Sequence, residues 1–202
     1  MTYEEREVKF YLQDLPALAD RLHVCGAELT RERTFETNLR LDMPDRSLAK
    51  AGRILRLRKD SQTIVTYKAD ARFESGVTAR TEIEFVADDF LTARKLFEAL
   101  GYEAVVVYEK YRRVYQMGVV EVALDELPYG DFVEIEAVND TLIEGVAQML
   151  GLNWSKSVEA NYLGLFEIVK KNASLAVDNL TFKNFEGIDI SPQFLEVEPA
   201  DR

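Results

Sequence analysis

The sequence predicts an α+β fold in which eight antiparallel strands close into a β-barrel and helices pack outside it. Three observations lead to this prediction: a strand–helix unit that occurs three times, further strand-like segments joined by short turns, and strands whose charged and apolar residues alternate. A wound α/β sheet has about as many helices as strands, and this chain has many more strands than helices. Short turns favour antiparallel pairing, because parallel strands need long crossover connections.

The repeated unit is a strand with two glutamates, one residue apart, followed by an amphipathic helix. The strands cover residues 5–10, 80–85 and 132–137. A glycine stops each helix, because glycine readily adopts the conformation of a helix end; these are Gly26, Gly101 and Gly151. An aspartate precedes each helix as its predicted N-cap, because its carboxylate can accept from free helical N–H groups; these are Asp14, Asp88 and Asp140.

The remaining segments complete the strand count. Residues 53–58 and 63–68 flank a short polar turn at 59–62, which predicts a hairpin. Residues 105–108 lead into 110–115, and residues 119–124 follow a turn that contains Gly118. With the strands of the repeated units, these segments predict about eight strands and three helices.

Charged residues alternate with apolar residues along most of these strands. Residues at i, i+2 and i+4 of a strand share one face, so Glu5, Glu7 and Lys9 share a face while Val8 and Phe10 occupy the other. For one strand alone, the solvated face of an ordinary sheet explains this pattern. Several such strands, with amphipathic helices available to cover their apolar faces, favour a closed sheet whose charged faces point inward.

The predicted inward set is balanced between basic and acidic residues. The basic members are Lys9, Arg56, Arg58, Lys68, Arg80, Lys110 and Arg112. The acidic members are Glu5, Glu7, Glu82, Glu84, Asp125, Glu134 and Glu136. Arginine and lysine suit phosphate oxygens, and clustered carboxylates suit Mg²⁺ or Mn²⁺, so the predicted ligand is anionic and metal-bound. An ionic network that only fills the barrel is the structural alternative.

Composition narrows the class of protein and of partner. The chain has 202 residues and a net charge of −11, which argues against nucleic-acid binding. No apolar run is long enough to span a bilayer, and the N-terminus is acidic, unlike a signal peptide. The single cysteine, Cys25, excludes an intrachain disulfide, so we expect a cytoplasmic protein. We expect a small-molecule ligand, no nucleic-acid or membrane partner, and allow for a homodimer.

The order of the motifs resembles that of the CYTH superfamily, the triphosphate tunnel metalloenzymes. The matching segments are Glu5 to Lys9 (ExExK), Leu41 to Asp45 (FDTPD), Gly52 to Arg58 (GxxLRxR), Thr66 to Lys68 (TxK), Arg80 to Glu84 (RxExE), Lys110 to Arg112 (KxR) and Leu124 to Glu136 (LD, then GxFxEIE). The departures are Met43 in place of threonine, Arg40 where an aromatic residue is common, and a Lys-Ser-Tyr motif stretched into Lys156-Ser157 and Asn161-Tyr162. The resemblance implies a triphosphate-tunnel domain over residues 1–171, and we expect 172–202 to be a polar appendage that packs outside and then frays.

The resemblance also implies a role for each charged residue, with Mg²⁺ or Mn²⁺ as cofactor. The implied metal ligands are Glu5, Glu7, Glu134, Glu136 and Asp125. The implied catalytic residues are Lys9, Glu82, Glu84 and Asp125. The implied substrate-binding residues are Lys9, Arg56, Arg58, Lys68, Arg80, Lys110, Arg112 and Lys156.

Three functions follow as hypotheses. The first is a metal-dependent triphosphatase in which water attacks the terminal phosphorus of tripolyphosphate, thiamine triphosphate or a nucleoside triphosphate. The second is a class IV-type adenylyl cyclase, in which the ribose 3′-hydroxyl attacks the α-phosphorus of ATP. The third is a non-catalytic binder of polyphosphate or organic phosphate, which the complete set of carboxylates disfavours. An adenine pocket at the tunnel mouth would distinguish the first two, and the sequence identifies none.

Overall fold

The computed structural model describes residues 3–201, which form eight strands and five α-helices. The strands are β1 (Tyr3–Leu12), β2 (Glu28–Asp42), β3 (Ile54–Lys59), β4 (Thr63–Glu74), β5 (Val77–Ala87), β6 (Glu103–Met117), β7 (Val120–Leu127) and β8 (Gly130–Glu136). The helices are α1 (Leu15–Val24), α2 (Ser47–Lys50), α3 (Phe90–Ala99), α4 (Asp140–Met149) and α5 (Tyr162–Asn172). Short 3₁₀ helices cover Trp154–Lys156, Phe182–Phe185 and Pro192–Leu195.

The strands form one antiparallel sheet in the order β1-β5-β4-β3-β2-β6-β7-β8. β1 pairs with β5 on one side and with β8 on the other, so the order of paired strands returns to its start. The predicted α+β class, the eight antiparallel strands and the helices outside them are confirmed.

Helices cover the apolar outer face over most of the sheet. Val8 and Phe10 of β1 and Ile135 of β8 belong to a buried cluster that includes residues of α1 and α4. Residues of α3 pack on a second cluster formed by β2, β3 and β4. On the outer face of β5 the prediction fails, because Ile83 and Phe85 are 49% and 55% exposed.

The predicted helix starts are correct at α1 and one residue off at the other two helices. Asp14 accepts a hydrogen bond from the amide of Ala17 at 2.9 Å, as expected of an N-cap. Asp89 and Asn139 cap α3 and α4, in place of Asp88 and Asp140, because they hold the extended backbone that lets a side chain turn back on the helix. Asp140 instead lies in the first turn of α4 and pairs with Arg6 at 2.7 Å.

The C-terminal segment packs against the sheet and against α5. Leu180 forms a bridge with Tyr108 of β6, and the side chains of Leu180 and Leu195 are fully buried. The carboxylate of Asp201 accepts hydrogen bonds from the backbone amides that follow β1, at 2.8–3.1 Å. The segment therefore packs outside the sheet, as predicted, and it stays packed up to Asp201 instead of fraying. Residues 1, 2 and 202 lie outside the described residues.

No helix described between residues 3 and 201 has the length and apolar character needed to cross a membrane.

Candidate functional site

A cavity of about 680 Å³ has a wall to which all eight strands contribute. The start of α5 completes this wall with Asn161, Tyr162 and Leu163. The cavity therefore lies inside the ring of paired strands, on the face opposite the helix-covered one. A volume of this size suits a small molecule.

Most of the predicted site residues line this cavity, because the two-residue period of a strand puts them on one face. They are Glu5, Glu7, Lys9, Arg56, Arg58, Lys68, Arg80, Glu82, Glu84, Lys110, Arg112, Glu134 and Glu136.

One group of charges centres on Glu5 of β1. Its carboxylate pairs with Lys68 Nζ at 2.6 Å and accepts from Arg80 Nε at 2.9 Å. Arg80 also contacts Glu7. Burial alone would raise the pKa of Glu5, but the positive charges of Lys68 and Arg80 outweigh it and lower the pKa to about 2. Glu5 is therefore a carboxylate with its charge fully compensated.

A second group centres on Glu134 of β8. Lys9 Nζ lies 2.9 Å from its carboxylate, and Arg112 contacts its other oxygen. Burial raises the pKa of Glu134, but Lys9 and Arg112 outweigh this effect and hold the pKa well below its usual value. Lys9 also lies 4.4 Å from the ring centre of Tyr162, so the start of α5 helps to position it.

The carboxylate of Glu136 has no ion pair within residues 3–201, and its neighbours are acidic. Glu136 lies directly opposite Glu7 of β1 and Glu121 of β7. Burial raises its pKa to about 8, and the negative charges of Glu5, Glu121 and Glu7 contribute to the increase. Three neighbouring strands thus bring carboxylates together at a place where a bound cation would lower the pKa of Glu136.

Glu121 is a cavity residue that the sequence analysis missed. It shares a strand face with Asp125 and lines the cavity, as Ala123 does. The signal was available in the two-residue period of β7, but the family motif begins at Leu124 and directs attention to Asp125. The register that puts Glu121 opposite Glu136 is not encoded in either strand alone.

Asp125 is not among the residues that line the cavity, and its metal-binding and catalytic roles stay predictions. The side chain is fully buried. Its oxygens accept hydrogen bonds from Arg112 Nε at 2.7 Å, Lys110 Nζ at 3.0 Å and the hydroxyl of Tyr162 at 2.7 Å. With its lone pairs so engaged, Asp125 holds two cations of the cavity wall in place and anchors α5.

Lys156 is also not among the residues that line the cavity, and its substrate contact stays a prediction. Its Nζ pairs with Glu198 of the C-terminal segment at 2.6 Å. The stretched Lys-Ser-Tyr motif explains the difference, since residues 154–156 form a separate 3₁₀ helix while Tyr162 begins α5. Of the four residues of this motif, Asn161 and Tyr162 reach the cavity wall.

Three further charged or aromatic residues of the strands line the wall and were not among the predicted site residues. They are Arg31 and Arg40 of β2 and Tyr108 of β6. Burial would raise the pKa of Tyr108, but the nearby charges of Arg56 and Lys110 lower it.

The carboxylates suit a hard divalent cation by their chemistry, since all their donors are oxygens. Among residues 3–201, however, no three acidic, histidine or cysteine side chains form a ready group that could hold a metal ion. The reason is that Glu5, Glu7 and Glu134 are turned towards lysine and arginine partners. Glu7 and Glu121 lie opposite Glu136, so these three carboxylates are the ones that could hold such a cation.

Comparisons with known proteins agree with this architecture. A family model described as CYTH domain matches residues 4–146. A protein of Methanocaldococcus jannaschii that carries the provisional name adenylate cyclase is 27% identical over 172 residues, which cover 80% of this chain and 97% of the relative.

Two solved structures share the fold. A Vibrio parahaemolyticus protein, provisionally named an adenylate cyclase, has a TM-score of 0.74 at 20% identity, covering 83% of this chain and 99% of its own. A Hippeastrum protein, provisionally named an adenylyl cyclase and described as having a dominant triphosphatase activity, has a TM-score of 0.62 at 18% identity, covering 96% of this chain and 100% of its own. At these identities the likeness concerns the fold alone.

Proposed function

The chain belongs to the CYTH family, and we propose on that basis that it is a Mg²⁺- or Mn²⁺-dependent triphosphatase. In this proposal the ring of strands is a closed barrel, and its cavity is a tunnel that binds the triphosphate. The observation that carries the proposal is the cavity wall itself, to which all eight strands contribute and in which arginines and lysines face carboxylates.

The cations of the wall bind the phosphate oxygens. Arg56 is the clearest case, because its Nε is buried without a hydrogen-bond partner within residues 3–201, and a phosphate oxygen would satisfy it. Arg80 already pairs with Glu5 and Glu7, and Lys68 with Glu5 and Glu82, so a phosphate group that enters beside Glu5 would be a third anionic partner for each. These charge-assisted hydrogen bonds position the chain and offset the negative charge that develops on the transferred group.

The carboxylates of β1 and β8 hold the metal ion in this proposal. The set is Glu5, Glu7, Glu134 and Glu136, and Glu121 joins it as the β7 carboxylate that lines the cavity. The metal ion, when bound, neutralises phosphate charge and lowers the pKa of a bound water. Asp125 supports this set from behind by fixing Lys110 and Arg112.

Glu82 is the residue we propose to accept the proton of the attacking water. Burial raises its pKa, Lys68 opposes this effect, and Glu5 adds to it, so that the pKa is about 7. A general base is most effective when its pKa lies near the working pH. Glu82 has one ion pair, with Lys68 at 3.3 Å, whereas Glu84 accepts a hydrogen bond from Thr66 at 2.8 Å and also lies 3.7 Å from Arg56, so Glu84 is less available as a base.

The wall favours hydrolysis over cyclisation, because it offers no free aromatic surface for an adenine ring among the described residues. Its aromatic members are Tyr108 and Tyr162. Tyr108 is only 8% exposed, and Tyr162 bonds Asp125 and presents its ring to Lys9. The dominant triphosphatase activity named for the Hippeastrum protein supports the view that this fold accommodates hydrolysis.

The second candidate is a class IV-type adenylyl cyclase, favoured by the provisional name of the Methanocaldococcus jannaschii relative. A non-catalytic organic-phosphate or polyphosphate binder ranks third, because a binder needs no general base with a pKa near neutrality. Both use the same cavity.

Product analysis separates the three candidates. Purified protein is incubated with tripolyphosphate, ATP or thiamine triphosphate, with Mg²⁺ or Mn²⁺, and phosphate, pyrophosphate and cyclic AMP are resolved. We expect release of phosphate. Cyclic AMP with pyrophosphate from ATP would establish the cyclase, and binding without any turnover would establish the third candidate.

A further inference from the structure

Arg40 is a cation of the cavity wall that the proposed reaction does not use. It lies on β2, directly opposite Arg56 of β3, and two like charges opposite each other destabilise a sheet. Within residues 3–201 it has no ion pair. Its guanidinium donates only to the backbone carbonyl of Arg53, at 3.4 Å.

The nearest carboxylate along β2, Asp42, forms no ion pair with Arg40 because its oxygens bond backbone amides. Asp42 accepts hydrogen bonds from the backbone amides of Met43, Leu48 and Ala49 at 2.8–2.9 Å. Its oxygens are thus committed to the turn that precedes and enters α2. Burial lowers the pKa of Arg40, and this effect together with the charges of Arg56 and Arg80 outweighs the opposing contributions of Tyr108 and Asp42. Within residues 3–201, Arg40 therefore has no ion-paired carboxylate, although Arg56 and Arg80 line the same cavity.

The position of Arg40 extends the row of cations along the cavity. Arg58 lies opposite Asn38, and Arg56 lies opposite Arg40, two residues further along both strands. Two residues of an antiparallel strand span about 7 Å. The cavity wall thus contains a pair of arginines, Arg40 and Arg56, two residues along the strands from Arg58, and Ile54 also lines the cavity.

We propose that Arg40 binds a terminal phosphate of the substrate and thereby determines specificity for an unsubstituted inorganic polyphosphate chain, such as tripolyphosphate. This inference rests on the proposed function. An inorganic chain carries charge at both ends, whereas a nucleoside triphosphate brings an uncharged sugar and base to one end. A nucleoside next to Arg40 would leave its charge buried without an anion, which is unfavourable.

The test compares two substrates in three proteins. Values of kcat/KM are measured for tripolyphosphate and for ATP in the wild type, in Arg40→Gln and in Arg53→Gln. Arg53 is the matched control, because it carries the same charge, is exposed and does not line the cavity. Loss of one charge-assisted contact should lower kcat/KM for tripolyphosphate roughly tenfold or more, with a clearly smaller change for ATP and no change in Arg53→Gln.

Calorimetric titration with tripolyphosphate and with ATP, in the absence of metal, gives the same comparison without turnover. Arg40→Lys should recover part of the affinity for tripolyphosphate, which shows that charge rather than folding is responsible. An equal loss for both ligands, or no loss for either, would overturn the specificity role. A wild type that binds tripolyphosphate with this selectivity but hydrolyses nothing would refute the proposed function and leave the role of Arg40 standing.

Discussion

At Asp125, three hydrogen-bond donors meet one fully buried carboxylate. Lys110 and Arg112 compensate its charge, and the hydroxyl of Tyr162 satisfies a remaining lone pair. Removing one partner of a buried ion pair leaves the other charges uncompensated, and the energetic effect is much larger than for a pair on the surface. Asp125 therefore contributes mainly to stability and to the positions of the two cations.

We expect Asp125→Asn to lower the free energy of unfolding by about 3 kcal/mol or more, because Lys110 and Arg112 lose their buried counter-charge. The control is Glu126→Gln at the neighbouring position, which removes a partly exposed pair with Arg33 at 2.7 Å and should change the free energy by about 1 kcal/mol or less. Urea unfolding monitored by circular dichroism measures both. Equal effects of the two substitutions would contradict the stabilising role of Asp125.

Individual residues also show which features of the site could be predicted from the sequence. The two-residue period of a strand correctly assigned Glu5, Glu7 and Lys9 to one face, because that property is local. It could not reveal that Tyr162, from a helix far along the chain, would engage Asp125. Nor could it reveal that Lys156 would pair with Glu198.

At the scale of the elements, the register between strands decides which charges meet. β8 lies between β1 and β7, and this arrangement places Glu136 between Glu7 and Glu121. Each glutamate sits on a predictable face of its own strand, but the register depends on how the whole sheet closes. For this reason the face of Glu136 was predictable, whereas its acidic surroundings and the role of Glu121 were not.

The pKa of Glu136 leads to a prediction about pH. Its folded value of about 8 lies above the ordinary value of 4.5. The folded protein therefore retains a proton that the unfolded chain loses, so the stability this proton provides is full below about pH 4.5 and is lost as the pH rises through about 8. Without metal, we expect Glu136→Gln to be more stable than the wild type at about pH 9, with a smaller difference at about pH 5.

Urea unfolding of both proteins at the two pH values, in the presence of a chelator, measures this effect. Mn²⁺ should reduce the advantage of Glu136→Gln, because a bound cation stabilises the charged carboxylate. A difference between wild type and variant that does not depend on pH would contradict the assigned environment of Glu136.

At the scale of the whole molecule, the C-terminal segment and α5 brace one side of the cavity wall. Leu180, Phe185 and Leu195 share a buried cluster with Tyr162 and Phe166 of α5, and Tyr162 in turn bonds Asp125. The sequence suggested a division into residues 1–171 and 172–202, since the composition becomes polar after that point. We propose instead that the segment is an integral support of the CYTH domain, because scattered apolar residues suffice to anchor it.

Deleting residues 173–202 should therefore lower the thermal midpoint by several degrees or prevent folding, because large apolar surfaces of α5 and β6 become exposed. Leu195→Ala is a milder version and should cost about 2–5 kcal/mol, since Leu195 is fully buried. Glu186→Ala, at an exposed position of the same segment, is the control. A truncated protein with an unchanged thermal midpoint would show that the segment is dispensable.

The exposed outer face of β5 bears on assembly. Ile83 and Phe85 lie there without a covering helix, and apolar residues in such a position are compatible with the homodimer that we allowed for. Size-exclusion chromatography with light scattering would measure the oligomeric state. The homodimer stays a prediction, as does a cytoplasmic location.

We propose that a metal-bound triphosphate is hydrolysed inside the ring of strands. The most direct measurement is a phosphorus NMR time course of tripolyphosphate with Mg²⁺, run for the wild type and for Glu7→Gln, with circular dichroism to verify that both are folded. We expect the wild type to release phosphate and pyrophosphate, and Glu7→Gln to release neither at a comparable rate. Equal turnover by a folded Glu7→Gln variant, or no turnover by the wild type, would contradict the proposed metal-dependent hydrolysis.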